Sequence, residues 1–271
     1  MWLAANGIRS LSNYISMGPR VLTQTKNIHW VPVEERPKLR TALKALTKAF
    51  KKRPKRALPL TINMLHRIFQ HVNVNNPYES ATYIAMLLAF FGILRAANVT
   101  TKNSKSYDKK TDLSRKSLAH QDGIYGLKIR KSKTITHIER VHISWLPEMG
   151  YAAAICPTTN LLAHIRQHRD KANDAPLIQV NGKALTKYQF KKTYNILLGR
   201  AGICCRKRTP HALRRGGATF GADMGMGPRW LKGQGDWRSA AYKLYIKNSR
   251  MRKAKQAKKW SKRARQYILG K

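Results

Sequence analysis

Acidic residues are scarce in this sequence. Its 271 residues include 12 aspartates and glutamates against 54 lysines and arginines, which gives a formal net charge of +42. A metal-dependent nuclease holds magnesium with clustered carboxylates, and the chain contains no convincing cluster of them. The scarcity argues against metal-dependent phosphodiester chemistry, so we expect neither a metal ion nor another cofactor.

Cysteines and long apolar runs are scarce as well. Cys156, Cys204 and Cys205 form no Cys-x-x-Cys pair, which argues against a disulfide framework and against a structural zinc site. The longest apolar stretch, Ala81–Leu94, is too short to cross a bilayer, and the first ten residues contain no signal-type apolar block. We therefore expect a soluble protein of a reducing intracellular compartment, without a membrane partner.

Positive charge runs along the whole chain. A compact domain with such an excess repels itself unless a polyanion neutralises it, and nucleic acid is the commonest polyanionic partner. Hydrophobic residues make up 42% of the sequence, which is enough for a folded core. The composition predicts a folded protein that binds nucleic acid. A basic packaging protein without any active site is one form that such a protein could take.

Hydrophobic periodicity predicts a mainly α-helical protein with one small antiparallel β-sheet. Two alternating segments, Ile124–Lys131 and Ile138–Ser144, predict the strands of a hairpin, and the polar residues 100–122 predict a loop. Helices are predicted at Leu39–Phe50, Thr61–Val72, Glu79–Ala97, Pro157–His168, Thr186–Leu198, Pro210–Ala222, Pro228–Gly233 and Ser239–Asn248.

Prolines and charge runs divide the chain into three parts. Pro54 and Pro59 bracket a linker, so residues 1–56 are interpreted as a basic amino-terminal arm or remnant. Residues 57–247 form the predicted main domain. Residues 248–271 form a basic carboxy-terminal tail.

One short motif could bind a phosphate. His211 and Arg214 are three residues apart, so they share one face of a predicted helix. The planar fork of an arginine can hold two phosphate oxygens at once. Because this spacing also arises by chance in so basic a chain, the pair alone does not identify a phosphate site. The residues around the motif and the order of the other motifs have to be considered as well.

Further segments surround this motif in a definite order. A predicted buried helix ends in Phe90-Phe91-Gly92-Ile93-Leu94-Arg95, and the basic hairpin carries Lys131-Ser132-Lys133-Thr134. The motif itself reads Thr-Pro-His-Ala-Leu-Arg-Arg-Gly-Gly, and Gly-Asp-Trp-Arg-Ser follows it at 235–239. Over residues 57–247 the series resembles the tyrosine recombinase (phage integrase) family, most closely the recombinases of tyrosine-recombinase retroelements and related eukaryotic mobile elements.

The resemblance implies that residues 57–247 are a catalytic domain and that residues 1–56 are a truncated remnant of the family's longer core-binding domain. It also implies a catalytic role for each residue of the set. Arg95 and Arg214 would clamp the scissile phosphate, and Lys133 would protonate the leaving 5′ oxygen. His211 would assist proton transfer at the nucleophile. Tyr245 would attack the phosphorus and give a 3′-phosphotyrosyl enzyme, without metal or ATP.

Two positions depart from the pattern of the family. The sixth catalytic position, usually His or Trp, is Asp236, which cannot donate a hydrogen bond when ionised; the adjacent Trp237 could donate through its indole N–H. Asn98 stands where the family often has Glu. Full activity is therefore one reading, and a DNA-binding relic of a mobile element that has lost catalysis is the other.

Several alternatives stay open at the level of sequence. Lys131 or Lys128 could replace Lys133 as the acid, and Tyr242 or the remote Tyr267 could replace Tyr245 as the nucleophile. A type IB topoisomerase uses a similar residue set. The resemblance implies double-stranded DNA as the partner and a homo-oligomer, a tetramer, on that DNA. It also implies a nuclear protein in a eukaryote, and a cytoplasmic one otherwise.

Overall fold

The computed structural model describes residues 37–38, 40–42, 45, 57–132, 135, 140–150, 153–168, 172–246, 257–258, 260–261 and 264–266. The chain divides into two units, Met1–Arg56 and Ala57–Lys271. Among the described residues, no helix combines the length and the apolar character that a membrane span requires.

The described part of the chain is mainly helical. Its α-helices are α1 Ile62–Phe69, α2 Pro77–Phe91, α3 Ala96–Val99, α4 Pro157–Gln167, α5 Lys187–Arg200, α6 His211–Asp223 and α7 Pro228–Gln234. Short 3-10 helices lie at Ser104–Ser106, Arg115–Ser117, Ala153–Ile155, Cys205–Lys207 and Ala240–Leu244.

Side-chain caps fix where several of these helices begin. The hydroxyl of Thr61 accepts the N–H of Met64 at the start of α1, and the hydroxyl of Thr186 accepts the N–H of Gln189 at the start of α5. Each cap satisfies a backbone N–H that has no partner inside the helix. The helix predicted from Thr61 therefore begins at this cap.

Three antiparallel strands form the main sheet, in the order β1 (Leu118–Gln121), β2 (Ile124–Ile129) and β3 (His142–Trp145). The predicted hairpin corresponds to β2 and β3, which pair Ile129 with His142 and Gly126 with Trp145. A separate two-stranded ribbon pairs β4 (Gln179–Val180) with β5 (Lys183–Ala184). The expectation of a mainly α-helical protein with a small antiparallel sheet is confirmed.

The centre of the core is α2. Twelve of its fifteen residues are buried, and α4, α5 and α6 pack against it. A helix that is apolar on all sides is stable only when other elements surround it. A second, smaller core cluster brings α6, α7 and the segment after α7 together through Ile93, Ala218, Ala222, Leu231, Trp237 and Tyr242.

Two glycines allow α6 to cross the end of α2 at very short distance. A Cβ atom on Gly217 would lie 1.8 Å from the carbonyl oxygen of Phe90, and one on Gly216 would lie 2.2 Å from the carbonyl oxygen of Leu60. Real Cβ atoms do not approach backbone this closely, so only glycine is compatible with this crossing. The crossing fixes Arg214, two residues earlier on α6, against the end of α2.

Three predicted elements need correction. The central helix was expected to continue to Ala97 and to end near Arg95, but it ends at Phe91, because Gly92 caps it and Ile93 takes a positive φ of 50°. Arg95 instead precedes the short helix α3. The loop predicted at 100–122 contains strand β1, and the helix predicted from Ser239 is only the 3-10 helix Ala240–Leu244.

Candidate functional site

Arg214 lies at the centre of the candidate site. Its side chain is 1% exposed, and its guanidinium donates hydrogen bonds of 2.6 Å to the carbonyl oxygens of Ile93 and Gly235. These two oxygens belong to the turn after α2 and the turn after α7. Burial lowers the pKa of Arg214 to about 10, with Arg95 acting in the same direction, so the guanidinium remains charged at neutral pH.

Tyr245 lies directly beside Arg214. Its ring centroid is 5.3 Å from the guanidinium carbon. The ring also lies 5.1 Å from the His211 ring and 4.9 Å from the Trp237 ring. The phenol therefore lies close to both a cation and an imidazole.

The alternative nucleophile Tyr242 has a different environment. Its side chain is 7% exposed and belongs to the second core cluster, where its ring lies 6.5 Å from the Trp237 ring. Tyr242 lies inside the 3-10 helix Ala240–Leu244, whereas Tyr245 directly follows it. The change of conformation at this point separates two residues that one α-helix would have placed on the same face. The remote alternative, Tyr267, lies outside the described residues.

His211 is the first residue of α6 and faces the same space as Tyr245. Its pKa is lowered, first by burial of the ring and then by the charges of Arg214, Arg215 and Arg95. The low pKa favours the neutral imidazole at physiological pH. A neutral imidazole can accept a proton, as the role implied by the resemblance requires.

The indole ring of Trp237 packs against the guanidinium of Arg214. The guanidinium carbon is 4.2 Å from the centroid of the indole ring, and the side chain is 7% exposed. Cation–π contacts of this kind stabilise a buried arginine. The indole N–H is buried and has no hydrogen-bond partner among the residues described. The contact between the indole ring and the guanidinium thus stabilises the buried charge of Arg214.

Asp236 has two polar partners on the basic hairpin. One carboxylate oxygen lies 2.5 Å from a guanidinium nitrogen of Arg140, and the other accepts a hydrogen bond of 3.1 Å from the hydroxyl of Ser132. The positive charge of Arg140 therefore offsets the negative charge that a carboxylate brings to this position.

Arg95 borders a cleft beside the end of α2. The cleft has a volume of about 660 Å³, and the side chains of Arg95, Lys131 and Lys187 supply positive charge to its lining. Arg95 is close enough for its charge to lower the pKa of Arg214. The two arginines are thus neighbours, although 119 positions of sequence separate them.

The hairpin lysines are only partly described. Lys133, the predicted acid, lies outside the described residues. Lys131 lines the cleft with Arg95, and Lys128 lies on β2 opposite Ile143 of β3. The described residues therefore bring together Arg95, His211, Arg214, Asp236, Trp237 and Tyr245 of the predicted set.

Four polar residues near the site have partners that the sequence does not reveal. Arg140 and Ser132 bind Asp236, and Gln234 donates to the carbonyl oxygens of Phe91 and Trp145 at 3.1 and 2.6 Å. The ring of His142 lies 3.2 Å from the carbonyl oxygen of Gln234. These contacts join positions about ninety or more residues apart, so only the fold reveals them.

No metal-binding group emerges from the described residues, none of which form a cluster of three or more His, Cys, Asp or Glu side chains. The arrangement instead offers two guanidinium groups, an imidazole and a phenol. These groups can bind a phosphate and attack it with an oxygen nucleophile.

No family model matches this chain, and no curated protein matches it in sequence. Solved structures match its fold. A lambda integrase dimer bound to a COC′ core site has a TM-score of 0.59 at 15% identity, over 91% of this chain and 75% of that one. XerA recombinase has a TM-score of 0.53 at 15% identity, over 95% of this chain and 89% of that one.

A third match is the post-cleavage complex of the XerH site-specific recombinase with a palindromic difH substrate. Its TM-score is 0.54 at 16% identity, over 77% of this chain. This chain spans about half, 53%, of the XerH chain. Together these matches show that the protein has the fold of a tyrosine recombinase catalytic domain, as the sequence analysis expected.

Proposed function

We propose that this protein is a site-specific DNA recombinase or integrase that cuts and rejoins DNA through a 3′-phosphotyrosyl intermediate, without a metal ion. The observation that carries the proposal is the position of Tyr245, whose ring lies 5.3 Å from the guanidinium carbon of Arg214 and 5.1 Å from the His211 ring. A positive charge close to the phenol stabilises the negative charge of the attacking phenolate.

The proposed reaction conserves the energy of the phosphodiester bond. The Tyr245 oxygen forms a bond to phosphorus, its proton passes toward His211, and the bond from phosphorus to the 5′ oxygen breaks. The leaving oxygen takes a proton from a hairpin lysine, Lys133 or its neighbour Lys131. Arg95 and Arg214 stabilise the added negative charge on the phosphate in the transition state. The reverse reaction, with a new 5′ hydroxyl, rejoins the strand.

The proposed partner is double-stranded DNA, bound by a tetramer of this chain. The net charge of +42 supports a polyanionic partner, and the matched lambda integrase and XerH structures contain DNA. Exchange of two duplexes breaks four strands, and one Tyr245 per protomer supplies one nucleophile. Four copies therefore supply the required number.

A covalent trap tests the proposed reaction. Duplexes of randomised sequence that carry a single nick are incubated with the protein in EDTA, and covalent adducts are isolated under denaturing conditions. When cleavage occurs beside the nick, the short 5′ fragment diffuses away and the adduct cannot reverse. We expect an adduct with the natural protein and none with Tyr245→Phe, because phenylalanine has no nucleophilic oxygen.

Tyr242→Phe is the matched control for this trap. It removes the same atom from the neighbouring tyrosine and should leave the adduct at its natural level. An adduct that survives Tyr245→Phe and disappears in Tyr242→Phe would assign the nucleophile to Tyr242.

The second candidate function is DNA binding without cleavage. The carboxylate of Asp236 favours it, because this group stands where the resembling family has a hydrogen-bond donor. Absence of any adduct, together with DNA affinity that falls steeply with salt, would establish this reading. A protein that contacts six or more phosphates should lose about three decades of affinity or more over a fourfold rise in salt.

A further inference from the structure

The carboxylate of Asp236 joins both ends of the turn between β2 and β3. Ser132 precedes residues 133–139 and Arg140 follows them, and each binds a different oxygen of the same carboxylate. Ser132 also exchanges two backbone hydrogen bonds with Ile135, of 3.1 and 3.2 Å. One side chain from the turn after α7 thus closes the base of this hairpin turn.

Asp236 is itself held in a fixed place. Its backbone has a positive φ of 51°, its N–H donates to the carbonyl oxygen of Gly233, and the preceding carbonyl, that of Gly235, accepts from Arg214. Only 10% of its side chain is exposed. The carboxylate therefore has a defined position relative to the central guanidinium.

A second contact ties the same hairpin to the other arginine. The side-chain amide of Asn98 donates to the carbonyl oxygen of Lys131 at 3.0 Å, and its oxygen accepts the N–H of Arg95 at the same distance. Asn98 and Asp236 are the two positions at which the sequence departs from the family pattern, and both hold this hairpin. The two departures thus act on one element.

We propose that Asp236, with Arg140, is a positioning pair that sets Ser132 relative to Arg214, and that Asn98 sets the adjacent Lys131 relative to Arg95. This inference rests on the proposed function, since its purpose is to bring a hairpin lysine to the leaving oxygen as the acid. Proton transfer requires heavy atoms about 3 Å apart, so a small displacement of Ser132 and Lys131 impairs it. Asp236 acts through the hairpin and does not bind the phosphate.

The first test measures the hairpin without any substrate. Asp236→Asn removes the charge and keeps a side chain that tolerates positive φ, so the backbone at this position remains unstrained. We expect amide hydrogen exchange at Ser132 and Ile135 to become at least about tenfold faster, because the two hydrogen bonds between these residues open more often. Arg140→Gln should produce the same change. Unchanged exchange in both variants would overturn the proposal, whatever the activity of the protein.

Asp174→Asn is the matched control. It makes the same chemical change at a surface carboxylate that pairs with Lys109 and Lys116 at 3.4 and 2.7 Å. Exchange at Ser132 and Ile135 should stay at its natural rate in this variant. Acceleration there by Asp174→Asn would show that the effect follows from net charge and not from the pair.

The second test separates positioning of the acid from a general loss of structure. A substrate with sulfur in place of the bridging 5′ oxygen needs no acid, because a thiolate leaves unprotonated far more readily than an alkoxide. For Asp236→Asn we expect cleavage of the ordinary diester to fall about a hundredfold and cleavage of the sulfur substrate to change less than about threefold. DNA affinity should hold or rise, since a negative charge has been removed.

Each remaining outcome has a distinct meaning. Equal losses on the two substrates would overturn the proposal, because the pair would then act on the nucleophile or on the whole domain. If the natural protein cleaved neither substrate, the proposed function would be rejected. The proposed role of the pair in placing an acid would be rejected with it. Accelerated exchange in Asp236→Asn would in that case show only that the carboxylate closes the turn.

Discussion

The two sides of the candidate site are built in different ways. On the core side, Arg214 is placed by backbone packing, because α6 meets α2 through Gly216 and Gly217 and the guanidinium binds two carbonyl oxygens. On the rim side, Tyr245 is held by ring contacts, and Ser132 and Arg140 of the hairpin are held by the carboxylate of Asp236. We therefore expect substitutions on the core side to destabilise the domain and substitutions on the rim to leave it folded.

Gly217→Ala should have the largest effect on stability, because it attacks the core side directly. Its methyl group would lie 1.8 Å from the carbonyl oxygen of Phe90, and backbone cannot move aside as a side chain can. We expect the free energy of unfolding in urea to fall by about 3 kcal/mol or more.

Gly199→Ala is the matched control for that substitution. It adds the same methyl group to α5 at a position with no atom within 4 Å. Stability should hold or rise by about 0.5 kcal/mol, because alanine is the better helix former. Similar losses in both variants would contradict the account of the α2–α6 crossing.

His164, a buried residue of α4, provides a pH test of the protein core. It is 4% exposed, its Nε2 accepts the N–H of Gln179, and burial lowers its pKa to about 4. Between pH 6.5 and 4 the unfolded chain binds more protons at this residue than the folded protein, so stability is lost as the pH falls through this window. The loss amounts to about 3 kcal/mol at pH 4.

His164→Gln should remove this loss, because glutamine keeps an acceptor for the N–H of Gln179 and does not titrate. The free energy of unfolding, measured at pH 7 and pH 4.5 for both proteins, should drop about 2 kcal/mol further in the natural protein. Burial also lowers the pKa values of His142 and His211, and both residues remain in the variant. If the unfolding free energies of the two proteins fell in parallel with pH, His164 would bind protons equally in the folded and unfolded states, which would contradict this prediction.

Tyr245→Phe should have the smallest effect on stability. The ring contacts with His211 and Trp237 remain, and only the hydroxyl is lost. We expect a change in unfolding free energy of about 1 kcal/mol or less, while the covalent adduct disappears. A loss near that of Gly217→Ala would place Tyr245 in the core and erase the distinction between the two sides.

The sequence predicted the starts of four helices well, because these signals are local. Thr61 and Thr186 cap α1 and α5, and Pro157 and Pro228 open α4 and α7. Strand β1 was missed although a signal for it existed. Asp122 and Gly123 both take positive φ in the turn between β1 and β2, and Asp-Gly is a strong hairpin signal.

The sequence predicted which residues belong to the candidate site, but it did not predict most of the contacts between them. His211 and Arg214 share a helix, so their proximity follows from spacing alone. The pairing of Asp236 with Arg140 does not follow from sequence spacing, because it depends on where α7 ends relative to β3. The resemblance predicted a weakness at Asp236. The structure gives this residue two partners on the hairpin that no local pattern indicates.

The two carbonyl bonds of Arg214 have a thermodynamic consequence for any anion that reaches it. A long, free side chain loses about 2 kcal/mol of rotamer entropy when it is immobilised, and that loss weakens binding. Here folding has already immobilised the guanidinium between Ile93 and Gly235. Under the proposed function, a phosphate would therefore meet a preset donor at little entropic penalty. Because every nucleotide carries the same phosphate, any discrimination between DNA sequences would then have to reside in other parts of the molecule.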